Sequence, residues 1–194
     1  EAVKQWKLKP IGKITDSQWS GLDPAQMGLG PVHAATPILQ RHGLGLNDLD
    51  AWELNEAFAA QVMGCLEAWK SDDYCREQLG LPGALGALDE DKLNVDGGAI
   101  ALGHPVGASG ARIVLHLLHV LRQKKVRRGM ATICIGGGLG GAWASAGGSG
   151  SGASGVQPAT EPSPAATQRE KKRMTPGFTA SPTFRWRTPT RCRR

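Results

Sequence analysis

Residues 94–112 read Asn94-Val-Asp-Gly-Gly-Ala-Ile-Ala-Leu-Gly-His-Pro-Val-Gly-Ala-Ser-Gly-Ala-Arg112. Five glycines, one histidine and one proline leave the run with almost no bulk. Glycine loses too much backbone entropy to fill a helix or strand interior in such numbers, so the run reads as a loop that brings backbone N–H groups close to a ligand. On its near side Leu93 reads as a strand start. On its far side an amphipathic helix begins near Ser109. A histidine at 104, held on such a loop beside a helix N-terminus, is a candidate for proton transfer. A lone histidine in a turn is more often simply solvated, so the weight on His104 comes from the segments around it.

Working outward, the helix expected over Ser109–Gln123 carries Ile113, Val114, Leu117, Leu118 and Leu121 as one stripe. The basic cluster Lys124, Lys125, Arg127 and Arg128 closes it, as the helix dipole favours. Met130–Ile135 is apolar and β-branched enough for a buried strand, and Gly136–Gly141 is a sharp turn with one more strand expected after it. Upstream, Asp50–Leu54 is a short strand candidate. A helix over Glu56–Lys70 follows, with Asn55 as its N-cap and Phe58, Val62, Cys65, Leu66 and Trp69 on one face. Residues 71–92 form an irregular connection with one short helix near Tyr74–Leu79. Nearer the N-terminus, Ile11–Ile14 alternates like a strand. Residues 21–31 are turn-rich. A helix starts at Pro31, buries Val32, Ala35, Ile38 and Leu39, and stops at Gly43. Strands alternating with helices define the α/β class.

The chain has 194 residues, enough for one domain with a real core. Its net charge of +6 is unevenly placed. Residues 143–194 carry nine Lys/Arg against two Glu, so the body up to 142 is close to neutral. From 146 onward the composition turns Gly/Ser-rich, then Pro/Thr-rich, then Arg-rich. Such a composition cannot bury a core, and the expected division is a folded domain over 1–145 and a disordered tail over 146–194. Nucleic-acid binding through the tail's arginines and its Phe184 and Trp186 is not expected. No apolar run approaches the ~18 residues of a membrane span. The opening Glu-Ala-Val-Lys-Gln-Trp does not read as a signal peptide, and with no starting methionine the chain is expected to be a fragment. Cys65, Cys75, Cys134 and Cys192 show neither Cys-x-x-Cys nor zinc spacing, so they are expected to be reduced, in a cytoplasmic protein, with no metal.

Two glycine patterns invite a nucleotide reading and fail it. Gly136, Gly138 and Gly141 satisfy G-x-G-x-x-G after a strand, but no helix follows and no acidic residue stands ~20 positions on. The glycines around His104 lack the lysine of a phosphate-binding loop. His33, His42, His116 and His119 have no polar constellation near them in sequence and read as structural or solvated. Arg112 reads as packing its stem along the helix.

Three segments, Asn55-Glu-Ala-Phe58, Gly103-His-Pro105 and Cys134-Ile-Gly136, resemble in order and spacing the C-terminal half of thiolases. Met27-Gly-Leu-Gly-Pro31, Gly97-Gly-Ala-Ile-Ala-Leu-Gly103 and Gly137-Gly-Leu-Gly-Gly-Ala142 extend the resemblance from about residue 8 to Ala142. It implies a thiolase-like α/β half with a mixed sheet, and acyl transfer to and from coenzyme A. The reaction is either cleavage of a 3-oxoacyl-CoA by free CoA or condensation of two acyl-CoA molecules. It also implies no bound cofactor, acyl-CoA and CoA as partners, and a homo-oligomeric intact enzyme.

By the resemblance His104 is the base that activates a nucleophilic cysteine, and Cys134 is the second acid/base. Asn55 holds a water that with His104 faces the thioester oxygen, and the Gly136 N–H serves a second oxyanion hole. The family's nucleophilic cysteine belongs to its N-terminal half, and neither Cys65 nor Cys75 matches its motif. The family's CoA-contacting Ser-Gly segment is also absent. After Ala142 the family continues with an apolar strand, where this chain reads Trp143-Ala-Ser-Ala-Gly-Gly. Alone, the chain is therefore expected to be inactive. The alternative is a non-catalytic thiolase-like module that binds CoA or an intact subunit.

Overall fold

The computed structural model describes residues 1–147. Of the tail expected over 146–194, Ala146 and Gly147 belong to the last strand, and residues 148–194, with the tail's arginines, lie outside the described residues. Among the described residues thirteen elements follow one another, and four strands form the spine. A short α1 (Ala2–Gln5) precedes β1 (Gly12–Gly21) and a 3-10 turn over Pro24–Leu29. Then come α2 (Gly30–His42), a 3-10 turn at Leu46–Asp48, β2 (Ala51–Leu54), α3 (Ala59–Lys70) and α4 (Asp72–Glu77). A 3-10 turn at Glu90–Lys92, α5 (Ala99–Leu102), α6 (Val106–Gln123), β3 (Arg128–Ile135) and β4 (Leu139–Gly147) complete it.

The sheet order is β1-β4-β3-β2, with β1–β4 and β4–β3 antiparallel and β3–β2 parallel. The sheet is therefore mixed, and the fold is α/β. Its inner strand β3 is buried from Gly129 to Cys134 because helices cover both faces. On one face α2 and α3 bring Val32, Ala35, Ile38, Leu39, Cys65 and Trp69 against Trp52, Leu54, Met130 and Ala142. On the other, Ile113, Leu117, Val120 and Leu121 of α6 meet Ala51, Ala131 and Ile133. The alternation of pleat is visible within β2. Trp52 and Leu54 belong to the first cluster and Ala51 to the second. Trp52 and Trp69 pack at a tilt of 57° with centroids 5.5 Å apart, and the Trp69 indole N–H donates to Thr36 Oγ1 at 3.1 Å. Gly43 ends α2 in the left-handed region at φ +61°, and Leu44 N donates back to Leu39 O.

Several boundaries differ from expectation. α3 starts at Ala59, three residues late, and has no side-chain cap. Asn55 is not an N-cap, because its backbone N–H continues the sheet ladder to Thr132 O at 2.9 Å. Phe58 consequently falls outside the buried stripe and is 63% exposed. α6 begins a turn early, at Val106, since Pro105 presets the backbone just before the first turn. Leu93 starts no strand but makes one parallel bridge to Trp52. Of the strand expected over Ile11–Ile14, Gly12–Ile14 begin a ten-residue strand and Ile11 stays outside it. Trp143 to Gly147 stay in β4, Trp143–Ala146 paired to both β1 and β3 and Gly147 to β1, so the change of text after Ala142 does not end the strand. Among the described residues no helix is long and apolar enough to cross a membrane.

Candidate active site

The candidate residues gather at the carboxyl ends of the parallel pair β2–β3, the end of such strands where ligands generally bind. Asn55 is the first residue past β2. It is 2% exposed, and its Nδ2 lies 3.3 Å from Nε2 of His104, 49 positions away in the chain. Its Oδ1 is buried and has no hydrogen-bond partner among the described residues. His104 follows Gly103, whose φ of +85° turns the chain out of α5 and toward Asn55. Arg112, on α6, donates to Gly103 O at 2.9 Å and ties this corner down, which is more than stem packing.

The tautomer of His104 follows from its other neighbour. Nδ1 lies 2.7 Å from Ser109 Oγ, and that hydroxyl spends its own proton on Pro105 O at 3.1 Å. Ser109 must therefore accept, so Nδ1 carries the ring proton and Nε2 is left with its lone pair. Nε2 is the atom that faces Asn55, and it is the basic one.

Cys134 sits near the end of β3, level with Gly140 of β4. Because Asn55 N bonds Thr132 O, Cys134 lies two residues further along, at the same end of the sheet. Burial pushes its thiol above the ordinary value, which keeps it protonated when no base is near. Gly136 is exposed in the turn that joins β3 to β4, and a Cβ there would meet nothing within 4 Å. Packing does not demand this glycine, and space lies open before it. Thus Asn55 and His104 touch, while Cys134 and Gly136 share their end of the sheet.

The other described cysteines are unsuited to nucleophilic work. Cys65 is fully buried, and desolvation pushes its thiol up to about 12. Cys75 is also fully buried and is spent on the carbonyls of Ala68 and Trp69. Among the described residues no group of His, Cys, Asp or Glu could hold a metal ion.

Sequence reading missed several polar partners. Ser109 was legible only as a helix start, since its hydroxyl meets a histidine outside the helix. His116 does have a polar constellation. Its Nδ1 lies 2.8 Å from Glu53 and its Nε2 3.2 Å from Asp96. Those partners are 63 and 20 positions away, beyond any local pattern. His42 meets Asp16 at 2.9 Å and His33 meets the Tyr74 hydroxyl at 2.8 Å.

The fold is thus an α/β protein that gathers an asparagine at one strand end, an imidazole beside it and a buried thiol near the end of the adjacent strand. Residues 8–146 match the family described as "Thiolase, C-terminal domain". The acetyl-CoA acetyltransferase of Syntrophomonas wolfei is 41% identical over 141 residues, which is 72% of this chain and 32% of that protein. The mitochondrial 3-ketoacyl-CoA thiolase of Rattus norvegicus is 44% identical over 140 residues, 72% of this chain and 31% of the relative. Human mitochondrial 3-ketoacyl-CoA thiolase, solved in complex with CoA, superposes with a TM-score of 0.62 at 40% identity, over 76% of this chain and 33% of that one. The chain belongs to the thiolase family. It spans about a third of the length of the curated relatives it matches.

Proposed function

We propose that this chain supplies the acid–base half of a thiolase-type acyl transfer between acyl-CoA and CoA, and that the acyl-carrying cysteine comes from outside residues 1–147. The observation that supports this most directly is the Asn55–His104 contact at 3.3 Å, with the His104 tautomer set by Ser109. In that tautomer Nε2 can take the proton of an incoming thiol that displaces the Asn55 amide from its one lone pair, which turns the thiol into the nucleophile. The same atom then carries a proton and becomes a donor toward the thioester oxygen. The Asn55 Oδ1, without a partner among the described residues, suits a water that donates one hydrogen bond to it and the other to that oxygen. Cys134, kept as a thiol by burial, serves as proton donor to the departing group and as base in the reverse direction. One thiol cannot hold the acyl group and move the proton at once, so Cys134 is not also the nucleophile. The open space where a Gly136 side chain would stand leaves room for a second oxyanion to approach its backbone.

Ile100, Leu102 and Val106 flank His104 and are 63%, 65% and 79% exposed. Side chains of that kind around a catalytic histidine favour cover by a second polypeptide segment, such as an intact subunit in a homo-oligomer. The proposal places the protein in the cytoplasm, where its thiols stay reduced, although the rat relative is named as mitochondrial.

The test is to graft residues 8–147 into the human relative in place of the matching segment. Thiolysis is followed by loss of the 3-oxoacyl-CoA enolate absorbance on adding free CoA. The chain alone gives no turnover. The graft does, and His104→Ala or Cys134→Ala lowers its kcat by roughly 10²–10⁴-fold. Turnover by the isolated chain, or a graft indifferent to His104, refutes the assignment.

A further inference from the structure

We propose that Glu56 and Asn94 are positioning residues, a two-residue clamp that holds the His104 loop against the end of β2. What the clamp positions rests on the acyl-transfer reading; the clamp itself rests on geometry. Asn94 is 9% exposed and adopts φ +44°, a backbone conformation that asparagine tolerates better than most residues. From there its side-chain amide pairs with Leu54 as a strand residue would. Oδ1 accepts from Leu54 N at 3.0 Å, and Nδ2 donates to Leu54 O at 2.9 Å. The second hydrogen of Nδ2 goes to Glu56 Oε1 at 2.8 Å. The other carboxylate oxygen, Oε2, accepts from Ile100 N at 3.0 Å, in the short helix that leads directly to Gly103 and His104.

Three consecutive residues thus divide the work. The Leu54 backbone holds Asn94, the Asn55 side chain meets His104, and Glu56 joins Asn94 to the turn before His104. Gly98 completes the fit, because a Cβ there would stand against the Glu56 carboxylate. Glu56 contacts neither His104 nor any reacting atom in this arrangement, so it acts through the loop.

The polarity of the network makes a sharp demand. Leu54 N–H needs an acceptor and Leu54 C=O needs a donor, which fixes the orientation of the Asn94 amide. Its remaining hydrogen and the Ile100 N–H then both point at residue 56, which must offer two acceptors. A carboxylate does. A glutamine offers one acceptor and one donor, and no flip satisfies both neighbours. The isosteric Glu56→Gln exchange should therefore open the clamp although it preserves shape.

The experiment is NMR on the full 194-residue chain, wild type, Glu56→Gln and Gly98→Ala, with labelled histidine. Gly98→Ala displaces the carboxylate without changing any charge, so it serves as an independent second variant. In both variants Ile100 amide exchange should rise by about tenfold or more, as its hydrogen bond is lost. The His104 Nε2 resonance should shift as the Asn55 contact loosens, which a merely structural role for Glu56 would not produce. The Met130 and Thr132 amides should keep their protection, showing that the sheet remains folded. Unchanged Ile100 exchange and an unmoved His104 Nε2 in Glu56→Gln overturn the clamp, whatever the graft does. Loss of sheet protection in both variants also overturns it, since Glu56 would then be a general stability residue. If the clamp signature appears but the graft is indifferent to His104, the clamp stands and the acyl-transfer reading fails.

Discussion

Replacing Gly140 with alanine probes the contact on which the glycine turn after Cys134 depends. In the structure the first turn of α2 meets the start of β4 backbone to backbone. A Cβ on Gly140 would overlap the carbonyl of Gly30 and stand 2.7 Å from Ser20 Oγ. Reciprocally, a Cβ on Gly30 would overlap Leu139 O and lie 3.0 Å from Gly140 Cα. Ser20 Oγ already donates to Gly30 O at 3.3 Å, so the strand on the other side of β4 is tied to the same point. No rotamer change can relieve the clash, because the obstacle is main chain. Overpacking a core costs about 1–3 kcal/mol, and this contact belongs at the top of that range. Alanine's lower unfolded-state entropy returns roughly 0.5–1 kcal/mol. The net loss is about 2 kcal/mol, or a fall in Tm of roughly 6 °C for a domain of this size. Gly21→Ala is the matched control, since it lies in β1 and a Cβ there meets nothing within 4 Å. Thermal unfolding by circular dichroism should place Gly140→Ala well below Gly21→Ala. If the two melt within about 1 °C of each other, a shift that corresponds to a few tenths of a kcal/mol, the close-contact reasoning is wrong.

Thr36→Val removes the acceptor of the buried Trp69 N–H while keeping shape; it should cost about 1–3 kcal/mol in urea unfolding, and a neutral result would mean the indole finds another partner. Asp16 is pushed up by burial, but the hydrogen bonds from His42 and Arg41 outweigh that and hold its carboxyl below its ordinary value of 3.8. Its folded value is the lower one, so its contribution is present above 3.8 and is lost as pH falls through the folded value. The stability gap between wild type and Asp16→Asn should therefore close on acidification, and a gap that widens would reverse the sign of the linkage. Cys65 and Cys75 should resist iodoacetamide in the native chain at about pH 8 and react only on unfolding, as peptide mass spectrometry would show.

The α/β alternation, α2 between its proline start and its glycine stop, the buried strand before Gly136 and the stripe of α6 were all legible in the sequence. Each rests on short-range physics: a 3.6-residue period, a left-handed glycine, an apolar run too short for a helix. The motifs that name the family were equally legible, because residue type and order suffice for a resemblance. Tertiary structure alone decided what Asn55 does. In sequence it reads as a helix cap; in the fold its backbone belongs to the sheet and its amide belongs to a histidine 49 positions away. The same holds for Ser109, which sets the His104 tautomer from a neighbouring helix, and for Glu56, whose two oxygens serve Asn94 and Ile100. It holds again for His116 between Glu53 and Asp96. A hydrogen bond depends on a few tenths of an ångström and on which atom carries the proton, and no periodicity along a chain encodes either. The sequence set which residues are available for chemistry, and only the packing of helices on both faces of a mixed sheet decided which of them meet.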